Sequence, residues 1–186
     1  MITEAKFKVT LRDMMEAKPL ADINVTALCK KCGVHRQTFY YHYQDIYDLL
    51  QDIFLNEDMA AFDKEKTASG AVKQMVKYIV KNYAFISASY NSAACDLVDE
   101  FVSHRLNRFF VSLWLKNKKM GMPTNAIRDA ARRFSHMISD EITFTFKTMK
   151  LSAEQFEEHI MRYSKLAVDE LLPVVLEVAK KESLVG

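Results

Sequence analysis

An all-α fold is predicted for this chain by three observations. Apolar residues recur at steps of three and four along most of its 186 residues, no strand-like alternation stands out, and most of the four Gly and three Pro fall where the helical pattern breaks. The spacing predicts an N-terminal three-helix, helix-turn-helix head over residues 1–44 and a larger helical body over residues 45–186. A hydrophobic content of 49% and a charged content of 27% are ordinary for a globular protein and exclude disorder on a large scale.

The elements follow in order. Thr3 is placed to cap a first helix whose apolar stripe is Ala5, Val9, Leu11, Met14 and Met15, ending near Lys18-Pro19. Leu20, Ile23 and Val25 lead into a short helix with Thr26 as its expected N-cap and Leu28, Cys29 and Cys32 on one face, which Gly33 ends by taking the left-handed conformation. A second short helix starts at about His35. Phe39 and Tyr43 face inward along it, while Arg36, Gln37, Thr38, Tyr40, Tyr41 and His42 occupy the remaining surface. A head of this size has little core of its own, so it is expected to lean on the next helix, capped by Asp45 and carrying Ile46, Leu49, Leu50, Ile53, Phe54 and Met59 towards Phe62.

Beyond it, Lys64 to Gly70 reads as a loop, and the spacing of Val72, Met75, Val76, Ile79, Val80, Tyr83 and Ile86 predicts one helix from Ala71 to Ser87. Ser89 to Ala94 reads as a break. Leu97 to Lys119 is read as helical with an interruption near Ser103, stopped by Gly121-Met122-Pro123. Two long helices close the chain. Thr124 or Asn125 is expected to cap the first, which reaches about Met149, and Ser152 with Gln155 forms a capping box for the second, which Pro173 bends or weakens.

Two short helices joined through a Gly turn make a helix-turn-helix, and the outer face of the second carries the chemistry of a DNA reader. Arg pairs bidentately with guanine, Gln with adenine, and Thr with the thymine methyl, while hydroxyls and cations hold phosphates. From Lys30 to Tyr43 there are three cations, Lys30, Lys31 and Arg36, and no acid. The net charge of +2 is too small to point to nucleic acid, but this local imbalance favours a polyanion. The candidate DNA-binding residues are therefore Thr26, Lys30, Lys31, His35, Arg36, Gln37, Thr38, Tyr40, Tyr41 and His42, with double-stranded operator DNA as the partner.

These residues resemble the motif of the tetracycline-repressor (TetR) family of transcriptional regulators. The family pattern stands here as Val25-Thr26, Cys29-Lys30-Lys31-Cys32-Gly33-Val34 and Thr38-Phe39-Tyr40-Tyr41-His42-Tyr43, followed by Asp45 and Leu49-Leu50. Besides a mild exchange of Phe for Tyr43, three departures stand out: both family alanines are cysteines, His35 replaces a Ser or Thr, and Ile46 replaces a Lys that often touches phosphate. The resemblance implies a regulator whose body binds a small-molecule effector and dimerises, in the main reading a repressor released by its ligand. Recognition helices close to Arg-Gln-Thr-Phe-Tyr also occur in relatives resembling the dihydroxyacetone-kinase operon activator. That implies a second reading, an activator or a protein with a coregulator in place of an effector.

The body offers candidates for both roles. Met75, Tyr78, Tyr83, Phe110, Trp114 and His136 combine apolar area with polar tips and are the candidate ligand wall, although periodicity cannot separate a cavity wall from a filled core. Ile127, Phe134 and Ile138 on the penultimate helix and Phe156, Ile160, Tyr163, Ala167 and Leu171 on the last form the candidate homodimer interface. That stripe continues through Val174 and Val178, and Leu166, Val168, Leu172 and Val175 widen it beyond what packing on the chain's own body needs.

Other constellations have blander readings. Cys29-x-x-Cys32 with His35 and His42 would suggest a thiol or metal protein, a third reading, but a zinc site needs four converging side chains and His42 is out of phase. Packing of both cysteines as small buried hydrophobes is the expectation, with no metal and no cofactor. His104, Arg105 and Arg108 read as a solvated basic face, as do Arg128, Arg132 and Arg133, and His136 with Asp140 as a local polar pair. No nucleophile, base and oxyanion set can be assembled, so an enzyme is not expected. No apolar run reaches the roughly 18 residues of a membrane span, and the first residues lack a signal-peptide core, so a cytoplasmic protein is expected.

Overall fold

The computed structural model describes residues 2–117 and 121–184. Within them all regular structure is helical: α1 (Ile2–Ala17), α2 (Val25–Cys32), α3 (Arg36–His42), α4 (Ile46–Leu55), α5 (Ala60–Asp63), α6 (Ala68–Lys81), α7 (Tyr83–Tyr90), α8 (Cys95–Lys116), α9 (Thr124–Thr148), α10 (Ala153–Leu166) and α11 (Leu172–Glu182), with a 3-10 turn at Leu20–Asp22 and a π-helical segment at Ala167–Leu171. No helix among the described residues is long and apolar enough to cross a membrane. The chain divides into two compact units. One runs to Asp58 and takes in Asn82–Val98; the other comprises Met59–Lys81 and everything from Asp99 onward. The unit holding the head therefore extends past the 44/45 boundary read from sequence.

In the first unit α1 packs on α2, α4 and α7. Its buried side is Phe7, Leu11, Met14 and Met15; Ala5 and Val9, expected in the stripe, are exposed, because the face that meets α3 is set by Phe7. Phe7 meets Phe39 edge-on at 5.3 Å between ring centroids. Polar contacts tie the same elements together. Lys8 Nζ lies 2.8 Å from Asp52 Oδ2, and the Tyr43 hydroxyl donates to the same oxygen at 2.6 Å. Arg12 pairs with Glu57, donates to Asn82 Oδ1 at 3.3 Å and lies 4.5 Å over the Phe85 ring. One α1 side chain thus joins the end of α4 to the start of α7.

In the second unit α6 packs on α10, and α9 packs on α10 and α11. Its aromatic core is centred on Phe110, which stacks on Trp114 at 5.3 Å and meets Phe134 at 5.2 Å; Phe146 and Phe156 pair at 4.7 Å. Asp99 on α8 accepts hydrogen bonds from Ser139 Oγ at 2.6 Å and Thr143 Oγ1 at 2.9 Å on α9. His159 Nε2 lies 2.8 Å from Glu141 Oε1.

Several boundaries differ from the sequence reading for identifiable reasons. Asn24, not Thr26, caps α2, since its side chain accepts from the Ala27 amide at 2.9 Å. The Asp45 cap is in place, but its helix stops at Leu55 and Phe62 lies on the separate α5. The helix expected over Ala71–Ser87 is two helices divided at Asn82, and it starts earlier, at Ala68. No interruption occurs at Ser103, whose hydroxyl donates to the Glu100 carbonyl inside a continuous α8; its expected end at Lys119 lies outside the described residues. Neither Thr124 nor Asn125 caps α9, which has Pro123 at its N-cap position. The Ser152–Gln155 capping box is present. Pro173 has no N–H to donate backwards, and the helix takes up the mismatch as the preceding π segment, where the Leu172 amide reaches Ala167 O.

The Asp52 cluster yields a pH prediction. Burial alone would raise the Asp52 carboxyl, but hydrogen bonds from Lys8, Tyr43 and Asn56 outweigh it and hold the group below the usual carboxylate range. A folded value below the unfolded one contributes stability that is complete above the unfolded value, about 3.9 for Asp, and is lost as pH falls through the lower folded value. Asp52→Asn is expected to destabilise the protein by about 1–2 kcal/mol at neutral pH. In urea titrations from pH 7 to pH 2 the variant should show a shallower acid loss than the parent, so parallel curves would remove Asp52 as the cause.

Candidate nucleic-acid interface

The local backbone makes the helix-turn-helix. α2 ends at Cys32, and Gly33 follows with φ of +66°, a conformation that L side chains rarely adopt. The amides of Gly33 and Val34 donate to Lys30 O at 3.2 Å and Cys29 O at 3.1 Å, which satisfies carbonyls at the helix end and turns the chain into α3. Leu28, Cys29 and Cys32 are buried as expected. Burial pushes the Cys29 thiol up, with a further push from Cys32 and a smaller opposing pull from Arg36, which makes it a packing residue and a poor nucleophile.

α3 has a single fully buried side chain, Phe39, held by Phe7 and tilted against Tyr43 at 5.7 Å. Most of the helix surface is therefore free. His35, Arg36, Gln37, Tyr40 and Tyr41 are exposed, Tyr41 at 86%, and Thr38 is half-buried. Arg36 Nη2 donates to the Tyr40 hydroxyl at 3.1 Å, and its guanidinium lies 5.7 Å from the Tyr40 ring centroid. Thr26, Lys30 and Lys31 on α2 are exposed as well. His42 departs from the expected set: its Nδ1 lies 3.1 Å from Glu4 Oε1 and its side chain is mostly covered, so it ties α3 to α1. Ile46 is buried. His35 is exposed while both motif cysteines are buried, and His42 is engaged by Glu4; the four side chains do not converge.

The residues of the expected ligand wall are placed as follows. Met75, Phe110 and Trp114 are buried in the second unit, Tyr78 is half-buried against Phe101 at 5.5 Å, His136 is exposed, and Tyr83 belongs to the first unit. The expected dimer set also divides. Ile127, Phe134, Ile138, Phe156, Ile160 and Ala167 are buried inside the chain's own fold and are not surface; Tyr163 is half-buried, its hydroxyl donating to Met137 O at 3.4 Å, and Leu171 is exposed. The apolar surface of these helices instead comprises Phe144, Leu166, Leu171, Val174 and Val178. The last four belong to the broad apolar pattern that the sequence already displays, and burial sorts them from their neighbours.

No family model matches the chain, and neither does any curated protein sequence. Solved structures do resemble it. The dihydroxyacetone kinase operon activator DhaS superposes with a TM-score of 0.62 at 16% identity, covering 95% of this chain and 97% of that one. A TetR-family transcriptional regulator from Syntrophomonas wolfei gives 0.62 at 16% identity, covering 88% of this chain and 93% of that one. The fatty acid degradation regulator FadR from Bacillus halodurans gives 0.59 at 15% identity, covering 91% and 96%. The likeness is one of fold: the chain has the all-helical fold of these regulators.

Proposed function

We propose that this protein is a DNA-binding transcriptional regulator of the TetR type that acts as a homodimer under the control of a small-molecule effector. The observation that carries the DNA reading is the surface of α3, where one buried Phe39 leaves Arg36, Gln37, Tyr40 and Tyr41 exposed beside Lys30 and Lys31, with no acid from Lys30 to Tyr43. Arg36 and Gln37 stand at the N-terminal end of the second motif helix, the end that reaches base edges in such proteins. Thr38 has a methyl for thymine. Thr26, His35, Tyr40 and Tyr41 hold phosphates, and Lys30 and Lys31 add general attraction. Such a protein works beside the DNA in the cytoplasm and has no catalytic task.

Two helix-turn-helix heads read two half-sites about one helical turn apart, so a dimer is the working form. Leu171, Val174 and Val178 share one face by their spacing, and with Leu166 and Phe144 they leave more large apolar side chains exposed on the last helices than a monomer usually shows. A second copy covering them supplies a two-fold interface. Effector control enters as a population shift: a ligand that prefers one of two body conformations changes the affinity of the paired heads, and a ligand binding both equally changes nothing. Whether DNA binding blocks or recruits transcription is a matter of operator position. The fold likeness to an operon activator favours keeping both signs of regulation.

The DNA reading is tested by selecting bound duplexes from a random pool. Arg36→Ala is expected to cost roughly 1–3 kcal/mol and to relax one position of the selected site, whereas Lys30→Ala weakens all sequences alike and lowers the salt slope by about one. An Arg36→Ala variant with unchanged preference and affinity would falsify the base-reading role.

The dimer is tested separately. Val174→Glu, at an exposed position, is expected to leave the helical content intact and to shift sedimentation from dimer to monomer. A parent protein that sediments as a monomer at micromolar concentration removes the homodimer from the proposal.

A further inference from the structure

The chain from Ala153 to Glu182 is helical throughout, with the π-helical segment Ala167–Leu171 joining α10 to α11. In an unbroken α-helix a step of five residues ends about 140° away from its start, on another face. Leu166 and Leu171 are separated by such a step. The π segment closes it with a backbone bond that spans five residues, from the Leu172 amide to Ala167 O, and so brings Leu171 back over Leu166. Val174 and Val178 then follow Leu171 at steps of three and four. All four side chains are exposed, Leu166 at 53% and Val174 at 56%, while Ala167, Leu172 and Ala179 among them are buried. The π turn therefore converts two separate apolar faces into one exposed stripe.

We infer that this stripe seats the last helix of a second copy in antiparallel orientation, crossing near Val175, and that the π turn is what phases the interface. Leu166 and Leu184, Leu171 and Val178, and Glu170 and Lys181 stand at nearly equal distances on either side of Val175. A two-fold axis through that point runs the two helices in opposite directions and lays each member of a pair against the other. Glu170 adjoins Leu171 within the π segment, Lys181 lies one turn beyond Val178, and both are exposed. Lys181 Nζ is 2.6 Å from Glu177 Oε1 in its own chain, an exposed pair that a second carboxylate can share. Opposite charges along an apolar seam select both partner and direction. A parallel arrangement would set Glu170 against Glu170 and Lys181 against Lys181, which like charges disfavour. This assignment deepens the homodimer of the proposed function and rests on it.

The full-length parent is compared by sedimentation equilibrium at low ionic strength with Glu170→Lys, with Lys181→Glu, with the double variant carrying both changes, and with Leu166→Glu. All three positions are exposed, and circular dichroism checks that each variant folds. Each single reversal is expected to weaken the dimer about tenfold, because the two-fold axis sets like charges against each other twice, and the double reversal to return it to within about threefold of the parent. Leu166→Glu is expected to weaken it about tenfold or more, since the π turn holds that side chain in the seam. A double variant no tighter than the single ones overturns the antiparallel pairing, and a Leu166→Glu protein that dimerises like the parent overturns the role of the π turn. A monomeric parent removes the homodimer and this inference with it. A dimeric parent whose affinity ignores every one of these changes keeps the homodimer and loses only the seam.

Discussion

The seven-residue α3 is too short to persist as an isolated helix, since helices below roughly 12–15 residues are marginal in water. It depends on the contact of Phe39 with Phe7, an edge-to-face pair that joins α3 to the first helix of the chain. Neighbouring side chains reinforce that contact. Tyr43, one turn after Phe39, adds a ring against both and gives its hydroxyl to Asp52; burial and that hydrogen bond hold the phenol well above its ordinary titration range, so it remains a donor. His42 closes the opposite edge through Glu4. With so few inward residues, the helix leaves Arg36, Gln37, Tyr40 and Tyr41 exposed.

The way each helix was legible depends on what fixes it. The head could be read residue by residue because its turn needs a specific backbone conformation at Gly33 and its short helices need specific caps and anchors. Phe39, Tyr43, Leu28, Cys29 and Cys32 face inward because small elements have one way to bury an apolar residue. Asn24 takes the cap because its side chain, two residues further back, has the geometry that Thr26 lacks once inside the helix, and Phe7, not Val9, lies on the buried side, where it meets Phe39.

The body was less legible for a physical reason. On α9 to α11 the apolar surface is wider than one stripe, and periodicity says only that a side chain is apolar, not whether its own chain or another covers it. Phe134, Ile138, Phe156 and Ile160 are the inner half; Leu171, Val174 and Val178 are the outer half, and both follow steps of three or four. The break at Asn82 was hidden in the same way. Ile79, Tyr83 and Ile86 keep helical spacing across it, yet Asn82 belongs to the contacts of Arg12, and α7 beyond it carries Phe85 beneath that guanidinium.

On the proposed DNA reading, the Arg36–Tyr40 contact would prepare the free chain for its partner. Its guanidinium donates to Tyr40 one turn along, and that hydrogen bond is the largest contribution raising its already high affinity for a proton. Both groups are exposed, so the contact is easily exchanged, and surface pairs of this kind contribute little to stability. Moving Arg36 onto a guanine edge would release the Tyr40 hydroxyl at the same time, leaving it able to reach a phosphate. On the proposed DNA reading, one rotamer change would then yield a base contact and a backbone contact together. Holding the arginine over the ring beforehand also limits the side-chain entropy that ordering would cost on the duplex.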